Sequence, residues 1–149
     1  MNMKIDLKKL RQEGKDSERF YFEYTPDDAI LTIPSVRFAA PVKIVGEVGI
    51  ISKGEAFVRA DLTVTLAGAC NRCLSETERT FVCTLDEDFV SGESEELYTY
   101  RNDLLDLTKA VTDKILLELP IVFLCREDCK GLCPVCGQNR NEGDCGCQA

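Results

Sequence analysis

Apolar and polar residues alternate along much of the first ninety positions, and a period of two predicts β-strands. Phe20, Phe22 and Tyr24 begin the pattern, and a second β-rich stretch spans residues 42–51. The clearest strand covers residues 56–66, where every even-numbered residue is apolar. It follows a turn signal at residues 52–54 and is followed by a further strand at residues 80–89. We therefore expect a hairpin over residues 55–89, within an antiparallel meander or an open barrel.

The period changes after residue 106, where the pattern becomes helical. Leu107, Val111, Ile115 and Leu119 fall on one face of a helix. Asp106 is placed to cap its N-terminus, and Pro120 ends it. We predict one amphipathic helix over residues 106–120. The short apolar run at residues 121–124 is expected either to add a strand or to pack over the sheet.

Charge is concentrated in one segment. The chain has 18 basic and 26 acidic residues, a formal charge of −8, and residues 86–106 hold eight of the acidic residues and one basic residue. Most nucleic-acid-binding domains are basic instead. Ser91, Gly92 and Ser94 indicate a solvated acidic loop over residues 91–105. The alternative interpretation is a docking surface for a basic partner, because a concentrated acidic patch attracts cationic proteins.

These features predict a single α+β domain over residues 1–149. Its parts are a β-rich portion (1–90), the acidic loop (91–105), the helix (106–120) and a Cys-rich metal-binding segment (121–149). The first ten residues lack the apolar run of a secretory signal, and no stretch reaches the roughly 18 apolar residues of a membrane span. We therefore expect a cytoplasmic protein with no membrane partner.

The chain contains nine cysteines and no histidine, which excludes histidine acid–base chemistry and histidine–metal ligation. In a cytosolic protein a dense cysteine pattern indicates metal binding more often than disulfides. Cys133 and Cys136 enclose Pro-Val and precede Gly137, the form of a zinc knuckle, and Cys145 and Cys147 supply a second close pair. Zinc takes four ligands in a tetrahedron, so these four cysteines are expected to hold one zinc ion.

A second four-cysteine site is expected from Cys70, Cys73, Cys125 and Cys129. The first pair lies at the predicted hairpin tip, and the second pair is spaced to fall on one side of a helical turn. Other interpretations stay open: disulfides or unligated thiols in the group that contains the knuckle, a thiol redox pair at Cys70 and Cys73, or an iron–sulfur cluster in place of zinc. Cys83 lies within a strand and is expected to be a small buried core residue. The sequence thus predicts one or two zinc ions, each held by four cysteines.

Candidate contacts for RNA or a partner are sparse. Arg72 lies inside the first CxxC motif, and Lys130 and Arg140 flank the knuckle; each is otherwise a solvated charge. The sequence has no Gly-rich phosphate loop, no Ser or Cys paired with a His base, and no carboxylate pair of demonstrable placement. We therefore predict no catalytic residues, no enzymatic activity and no small-molecule substrate.

Three blocks of sequence resemble one family. CNRCL at residues 70–74, DLTKAVTDKILLELPIVFLC at 106–125 and EDCKGLCPVCGQNRNEGDCGC at 127–147 are similar to the YceD family, called large ribosomal RNA subunit accumulation protein. Arg140 departs from the family pattern, which more often has an apolar residue there. The positions that match are Cys70, Arg72, Cys73, Leu119, Pro120, Gly131, Leu132, Cys133, Cys136, Gly137, Asn139, Asn141, Cys145 and Cys147.

The resemblance implies a non-enzymatic ribosome biogenesis factor that supports accumulation of large-subunit (23S) ribosomal RNA. Its expected partners are that RNA or a basic ribosomal protein. The alternative hypothesis is a thiol redox or metal-relay protein in which Cys70 and Cys73 cycle. The two differ in thiol behaviour, because a catalytic pair reacts quickly whereas metal-bound thiolates stay protected until a chelator is added.

Overall fold

A computed structural model describes residues 3–33, 35–143 and 145–147, and its centre is a six-stranded sheet. The strands and helices are β1 (Lys4–Asp6), α1 (Leu7–Gln12), β2 (Ser17–Tyr24), β3 (Val36–Phe38), β4 (Val42–Ser52), β5 (Glu55–Ala69), β6 (Glu76–Ser91), β7 (Tyr98–Tyr100), β8 (Leu104–Asp106) and α2 (Thr108–Glu118), with a short 3-10 helix at Asp28–Ile30. The sheet has the strand order β2-β4-β5-β6-β7, with β3 paired to β5 outside this path, and β1 and β8 form a separate two-stranded sheet.

The predicted hairpin is confirmed as β5 and β6, which pair antiparallel from Glu55↔Val90 to Ala69↔Glu76. Strands β2, β4, β5 and β6 are successive antiparallel neighbours, so the meander is observed. The sheet as a whole is mixed, because β7, which lies beyond the predicted meander, pairs parallel to β6. The open-barrel alternative is not confirmed, since the order begins at β2 and ends at β7 with no pairing between them in the described ranges.

The alternation in β5 places one face of the sheet in the core, as predicted. All even-numbered residues from Ala56 to Leu66 are buried, whereas Arg59 and Asp61 on the opposite face are exposed. Gly46 of β4 allows the close approach of these strands, because a Cβ there would lie 2.2 Å from the carbonyl oxygen of Arg59. Cys83 of β6 is also buried, as expected for a core residue.

Helix α2 covers part of this core with Val111 and Ile115, and Leu107 just before it is fully buried too. The predicted N-cap is displaced by one residue: Leu107 is the N-cap, and Asp106 is the last residue of β8. The Asp106 carboxylate nevertheless accepts a hydrogen bond from the N–H of Thr108 at 2.9 Å. The prediction of one helix also needs correction, because α1 is a second helix and buries Leu7 and Leu10.

The acidic segment is not the continuous loop over residues 91–105 that its composition indicates. It contains β7 and the start of β8, whose Tyr100 and Leu105 are buried. Residues 92–97 and the turn at residues 101–103 lie outside these strands, and residues 93–97 are exposed. The run at residues 121–124 adds no strand; Phe123 packs into the core, whereas Ile121 and Val122 are exposed. In the described residues no helix is long and apolar enough to cross a membrane.

Candidate metal centres

The first candidate centre joins the tip of the β5–β6 hairpin to the segment after α2. Cys70 and Cys73 at the tip face Cys129 and Cys125: the Sγ atoms of Cys70 and Cys129 are 3.6 Å apart, and those of Cys73 and Cys125 are 3.7 Å apart. All four sulfur atoms lie within 4.8 Å of one another. Three of the four residues are buried, and Cys125 is half-buried. The centre is therefore enclosed between two parts of the chain that are distant in sequence.

Backbone hydrogen bonds hold the hairpin tip in a tight turn and attach it to the segment after α2. The N–H of Leu74 donates to the carbonyl of Cys70 at 2.9 Å, which closes a tight turn around the CxxC motif. Leu74 has a φ of 64°, in the left-handed region that glycine normally occupies. Asn71 fastens the tip to the second segment, because its N–H donates to the carbonyl of Phe123 and its side chain accepts from the N–H of Phe123.

The second candidate centre lies entirely in the C-terminal segment. The sulfur atoms of Cys133, Cys136, Cys145 and Cys147 also lie within 4.8 Å of one another. The knuckle repeats the turn of the hairpin tip: the N–H of Gly137, at a φ of 78°, donates to the carbonyl of Cys133 at 2.9 Å. This centre is less enclosed than the first, since Cys133 is buried but Cys136 is exposed.

Backbone donors favour the thiolate form of Cys70 in the first centre and of Cys133 in the second. At Cys70, burial raises the pKa, but N–H groups of Cys73, Cys125 and Arg72 outweigh it and lower the pKa to about 6. At Cys133, the N–H groups of Cys136 and Val135 lower the pKa to about 6. Each centre is thus arranged to stabilise negative charge on sulfur, the form that binds a metal ion.

Other thiols of the same centres are held protonated. Burial, with hydrogen bonding to Cys129, raises the pKa of Cys125 to about 12, and hydrogen bonding to Cys145 and Cys136 raises the pKa of Cys147 to about 12. Four thiolates so close together repel one another, so complete deprotonation requires a compensating positive charge. A divalent cation supplies that charge.

The spacing of the sulfur atoms fits a tetrahedral metal ion. Four thiolates at about 2.3 Å from one ion lie about 3.8 Å apart, close to the two short sulfur–sulfur distances of the first centre. Two groups of four cysteines are therefore close enough to hold a metal ion. They have the same membership that the spacing along the sequence predicts. Ligation itself, and the identity of the ion, stay predictions.

Asn141 connects the two centres. Its side-chain Nδ2 donates to the Sγ of Cys129 at 3.2 Å, and its Oδ1 accepts from the N–H of Lys130 at 2.9 Å and from the guanidinium of Arg126 at 2.8 Å. It lies in the loop between Cys136 and Cys145 of the second centre, yet it contacts a sulfur of the first. Spacing alone could not assign this role; the only signal was that Asn141 matches the resembled family's pattern.

The three predicted basic contacts lie around these centres without converging on one site. The guanidinium of Arg72 donates to the carbonyl of Cys129 at 3.0 Å, so it supports the first centre. Arg79, which the sequence analysis did not single out, does the same for the carbonyl of Cys125 at 2.9 Å. Lys130 and Arg140 line a shallow cavity beside Cys147. Their contact with RNA or a partner stays a prediction.

The two centres lie within a region that matches a known family model. Residues 58–149, which include all eight of these cysteines, match the model described as large ribosomal RNA subunit accumulation protein YceD. The chain therefore belongs to the YceD family. The resemblance found in the three sequence blocks is confirmed, and the match covers more than half of the chain.

Two uncharacterized relatives are similar over most of the chain, and a third relative over a shorter part. An uncharacterized protein of Mycobacterium tuberculosis is 28% identical over 144 residues, covering 91% of this chain and 69% of the relative. The uncharacterized protein YlbN of Bacillus subtilis is 29% identical over 147 residues, covering 92% and 83%. A chloroplastic large ribosomal RNA subunit accumulation protein of Arabidopsis thaliana is 40% identical over 43 residues, covering 29% and 13%. No solved structure matches the chain.

Proposed function

We propose that this chain is a non-enzymatic, cytoplasmic ribosome biogenesis factor that supports accumulation of 23S ribosomal RNA. The observation that carries the proposal is the match of residues 58–149 to a family described by that role. The structure offers a chemical reason for a binding function: its clustered thiols are enclosed by packing and by backbone hydrogen bonds, an arrangement suited to holding a metal ion and shaping a surface.

The proposal includes two structural zinc ions, one in each centre. Zinc fits a donor set of four thiolates without histidine, and such sites are normally closed to other ligands. When bound, zinc would supply cross-links rather than a reaction. Cys70 and Cys73 would fasten the sheet to Cys125 and Cys129, and the second centre would close the last loop of the described chain. Arg72 and Arg79 would partly offset the two net negative charges of a four-thiolate zinc site.

The partner is proposed to be large-subunit RNA or a basic ribosomal protein. Acidic residues at 93–96 are exposed in the irregular part of the acidic segment, where they would attract positive charge. A pulldown that uses the purified chain as bait tests this. Replacing Glu93, Glu95 and Glu96 by glutamine should weaken capture of a basic ribosomal protein, whereas replacing Glu13, Glu18 and Glu23 should not. Equal capture by both triple variants would contradict the role of this segment.

The function itself is tested by deleting the gene in its own organism. We expect the ratio of 23S to 16S ribosomal RNA, and of large to small subunits on sucrose gradients, to fall. The wild-type gene should restore both ratios, and a Cys70→Ser, Cys73→Ser double variant should not. A Cys83→Ser variant is the matched control, since Cys83 belongs to neither centre. Unchanged ratios after deletion would refute the proposal.

The redox alternative draws its support from the low pKa of Cys70. The presence of Cys129 and Cys125 at 3.6 and 3.7 Å favours the metal interpretation instead, because a redox pair needs no second pair of thiols. Metal content per chain with a thiol titration separates the two. Two zinc ions and about one reactive thiol before chelation support the structural role. One zinc ion with rapidly reacting Cys70 and Cys73 supports the redox role.

A further inference from the structure

Strand β6 has a long edge with no strand beside it. One edge pairs with β5 along the whole hairpin, but on the other edge β7 pairs only with Phe89–Ser91. In the described part of the chain, no backbone hydrogen bond reaches that second edge between residues 78 and 88. A free edge of this length can accept a further strand.

The alternation of hydrogen-bonded pairs between β5 and β6 shows which backbone N–H and carbonyl groups of β6 have no partner in β5. The N–H of Ser91 donates to the carbonyl of Gly54 at 2.8 Å, and at the other end the N–H of Cys70 donates to the carbonyl of Ser75. Hydrogen-bonded and non-hydrogen-bonded pairs alternate in an antiparallel ladder, and the register is unbroken from Glu55↔Val90 to Ala69↔Glu76. The even-numbered residues of β6 therefore direct their N–H and carbonyl groups away from β5, toward the free edge.

A groove of about 370 Å³, lined by both apolar and charged residues, lies along this edge. Thr80 and Val82, on the outer face of β6, line it together with Phe81, which packs against the core. Because side chains from both faces of the strand line the groove, it lies at the edge of the strand. Its opposite wall is formed by the chain after α2, including Pro120 and Val122.

Large apolar side chains are exposed around the groove. Val82 and Val122, which line the groove, are 63% and 49% exposed, and Ile121, between Pro120 and Val122, is 97% exposed. Natural edge strands are commonly protected by charged side chains. Here the charges lie at the two ends, with Glu78 and Arg79 at one and Asp86 at the other, and the five residues from 80 to 84 are uncharged. The middle of the edge thus lacks this protection.

The charges around the groove are acidic on balance. Glu118, Glu127 and Arg79 line it, and Glu78 and Asp86 bound the free edge. Glu118 is paired with Lys114 at 3.0 Å, and Asp86 with Arg59 at 3.4 Å. Glu78 and Glu127 make no ion pair with another described residue and outnumber Arg79, so an occupant with basic ends is favoured over an acidic one.

We propose that the free edge of β6, from Glu78 to Asp86, accepts an extended segment of a basic partner protein as an added strand. The segment would pair with the outward backbone groups of Thr80, Val82 and Thr84. Its apolar residues, at alternate positions, would enter the groove, and lysine or arginine at its ends would face the acidic residues. The inference rests on the proposed function in one respect, that the chain acts by binding a basic protein.

The test uses the metal-loaded full chain and a synthetic peptide of about eight residues, a typical strand length. The peptide alternates valine and threonine, with lysine at both ends. We expect it to bind in a fluorescence anisotropy titration and to slow amide exchange at Thr80, Val82 and Thr84. Phe81 and Cys83 should change little, since their N–H groups already bond to β5. A peptide of the same composition with its valines adjacent should bind at least about tenfold more weakly.

A proline variant tests the backbone pairing. Thr84→Pro removes a free N–H without breaking the β5–β6 ladder, and we expect about tenfold weaker binding. Tyr21→Pro is the matched control, because Tyr21 holds the equivalent outward position on β2 at the other end of the sheet and should leave affinity unchanged. If Thr84→Pro does not fold, N-methylation of the peptide amides that face β6 makes the same test and should abolish binding.

The inference is overturned if no peptide binds, if the rearranged peptide binds equally well, or if protection falls outside β6. Its failure is distinguishable from failure of the proposed function. If gene deletion lowers 23S RNA but the peptide does not slow amide exchange in β6, only the proposed binding edge is refuted. If the peptide binds at β6 but gene deletion leaves the RNA ratios unchanged, only the ribosomal role is refuted.

Discussion

Removing the side chain of Asn141 should weaken metal binding at the first centre, although Asn141 lies in the loop of the second centre. The Asn141→Ala substitution deletes the hydrogen bond to the Sγ of Cys129 and leaves all eight cysteines of the two centres in place. It also deletes the bonds to Lys130 and Arg126. If Asn141 stabilises the thiolate of Cys129, the substitution should speed release of metal from the first centre.

The size of the effect on metal affinity depends on which of the hydrogen bonds of Asn141 water cannot replace. Lys130 and Arg126 are exposed, so water can satisfy their donors and little is lost there. The sulfur of Cys129 is buried, and no water replaces its donor easily. Loss of such a supporting contact typically costs 10- to 100-fold in metal affinity, so we expect a loss of at least about tenfold, or about 1.4 kcal/mol.

A second variant separates the two roles of this side chain. Asn141→Asp keeps the acceptor for Lys130 and Arg126 but places a negative charge beside the thiolate. If the bond to sulfur matters, Asp should release metal at least as fast as Ala. If Asn141 only tethers the loop, Asp should behave like the wild type.

The assay measures zinc transfer to a chromogenic chelator, with cadmium-113 resonances assigning the release to one centre. Gln138→Ala, an exposed position in the same loop, is the control. Release rates for Asn141→Ala within about twofold of that control would refute the reasoning.

Three further predictions follow from local geometry. A chelator should strip the second centre before the first, because Cys136 is exposed; simultaneous loss of both cadmium resonances would contradict this. Leu74→Gly should raise the free energy of unfolding in urea by about 1 kcal/mol, since it relieves a left-handed φ at a residue that buries little; a decrease would show that the Leu74 side chain matters. Burial and the hydrogen bond to Asp113 raise the pKa of Tyr98 to about 12, so stability from the neutral phenol should be complete below pH 10 and lost between about pH 10 and 12. Asp113→Asn should lower that pKa in a tyrosinate absorbance titration, and an unchanged titration would contradict the assignment.

Local patterns were enough to predict the elements that are long and half-buried. The strand from Ala56 to Leu66 and the helix face of Val111 and Ile115 each repeat their period several times, so the core-facing side is unambiguous. The cysteine groups were predictable for a related reason. Paired motifs at fixed spacing leave few ways to assemble two four-ligand sites, and the hairpin prediction placed Cys70 at a tip where a distant pair could reach it.

Short and non-local features could not be predicted in this way. Strands β7 and β8 have three residues each, too few to show a period, and the surrounding acidic residues indicated a loop. Their pairing partners decide their structure: β8 pairs with β1 near the start of the chain, and β7 pairs with β6. The contact of Asn141 with Cys129 likewise depends on the three-dimensional path of the loop.

The order of synthesis determines when the first centre can form. Cys73 and Cys125 are separated by 52 residues, so a ribosome translating roughly 5–20 residues per second makes the hairpin thiols about 3–10 s before their partners. During that interval only two of the four ligands of the first centre, the two at the hairpin tip, have been synthesised. A nascent chain of this family therefore carries a half-built metal site, open to oxidation or to the wrong ion, until translation has passed Cys129.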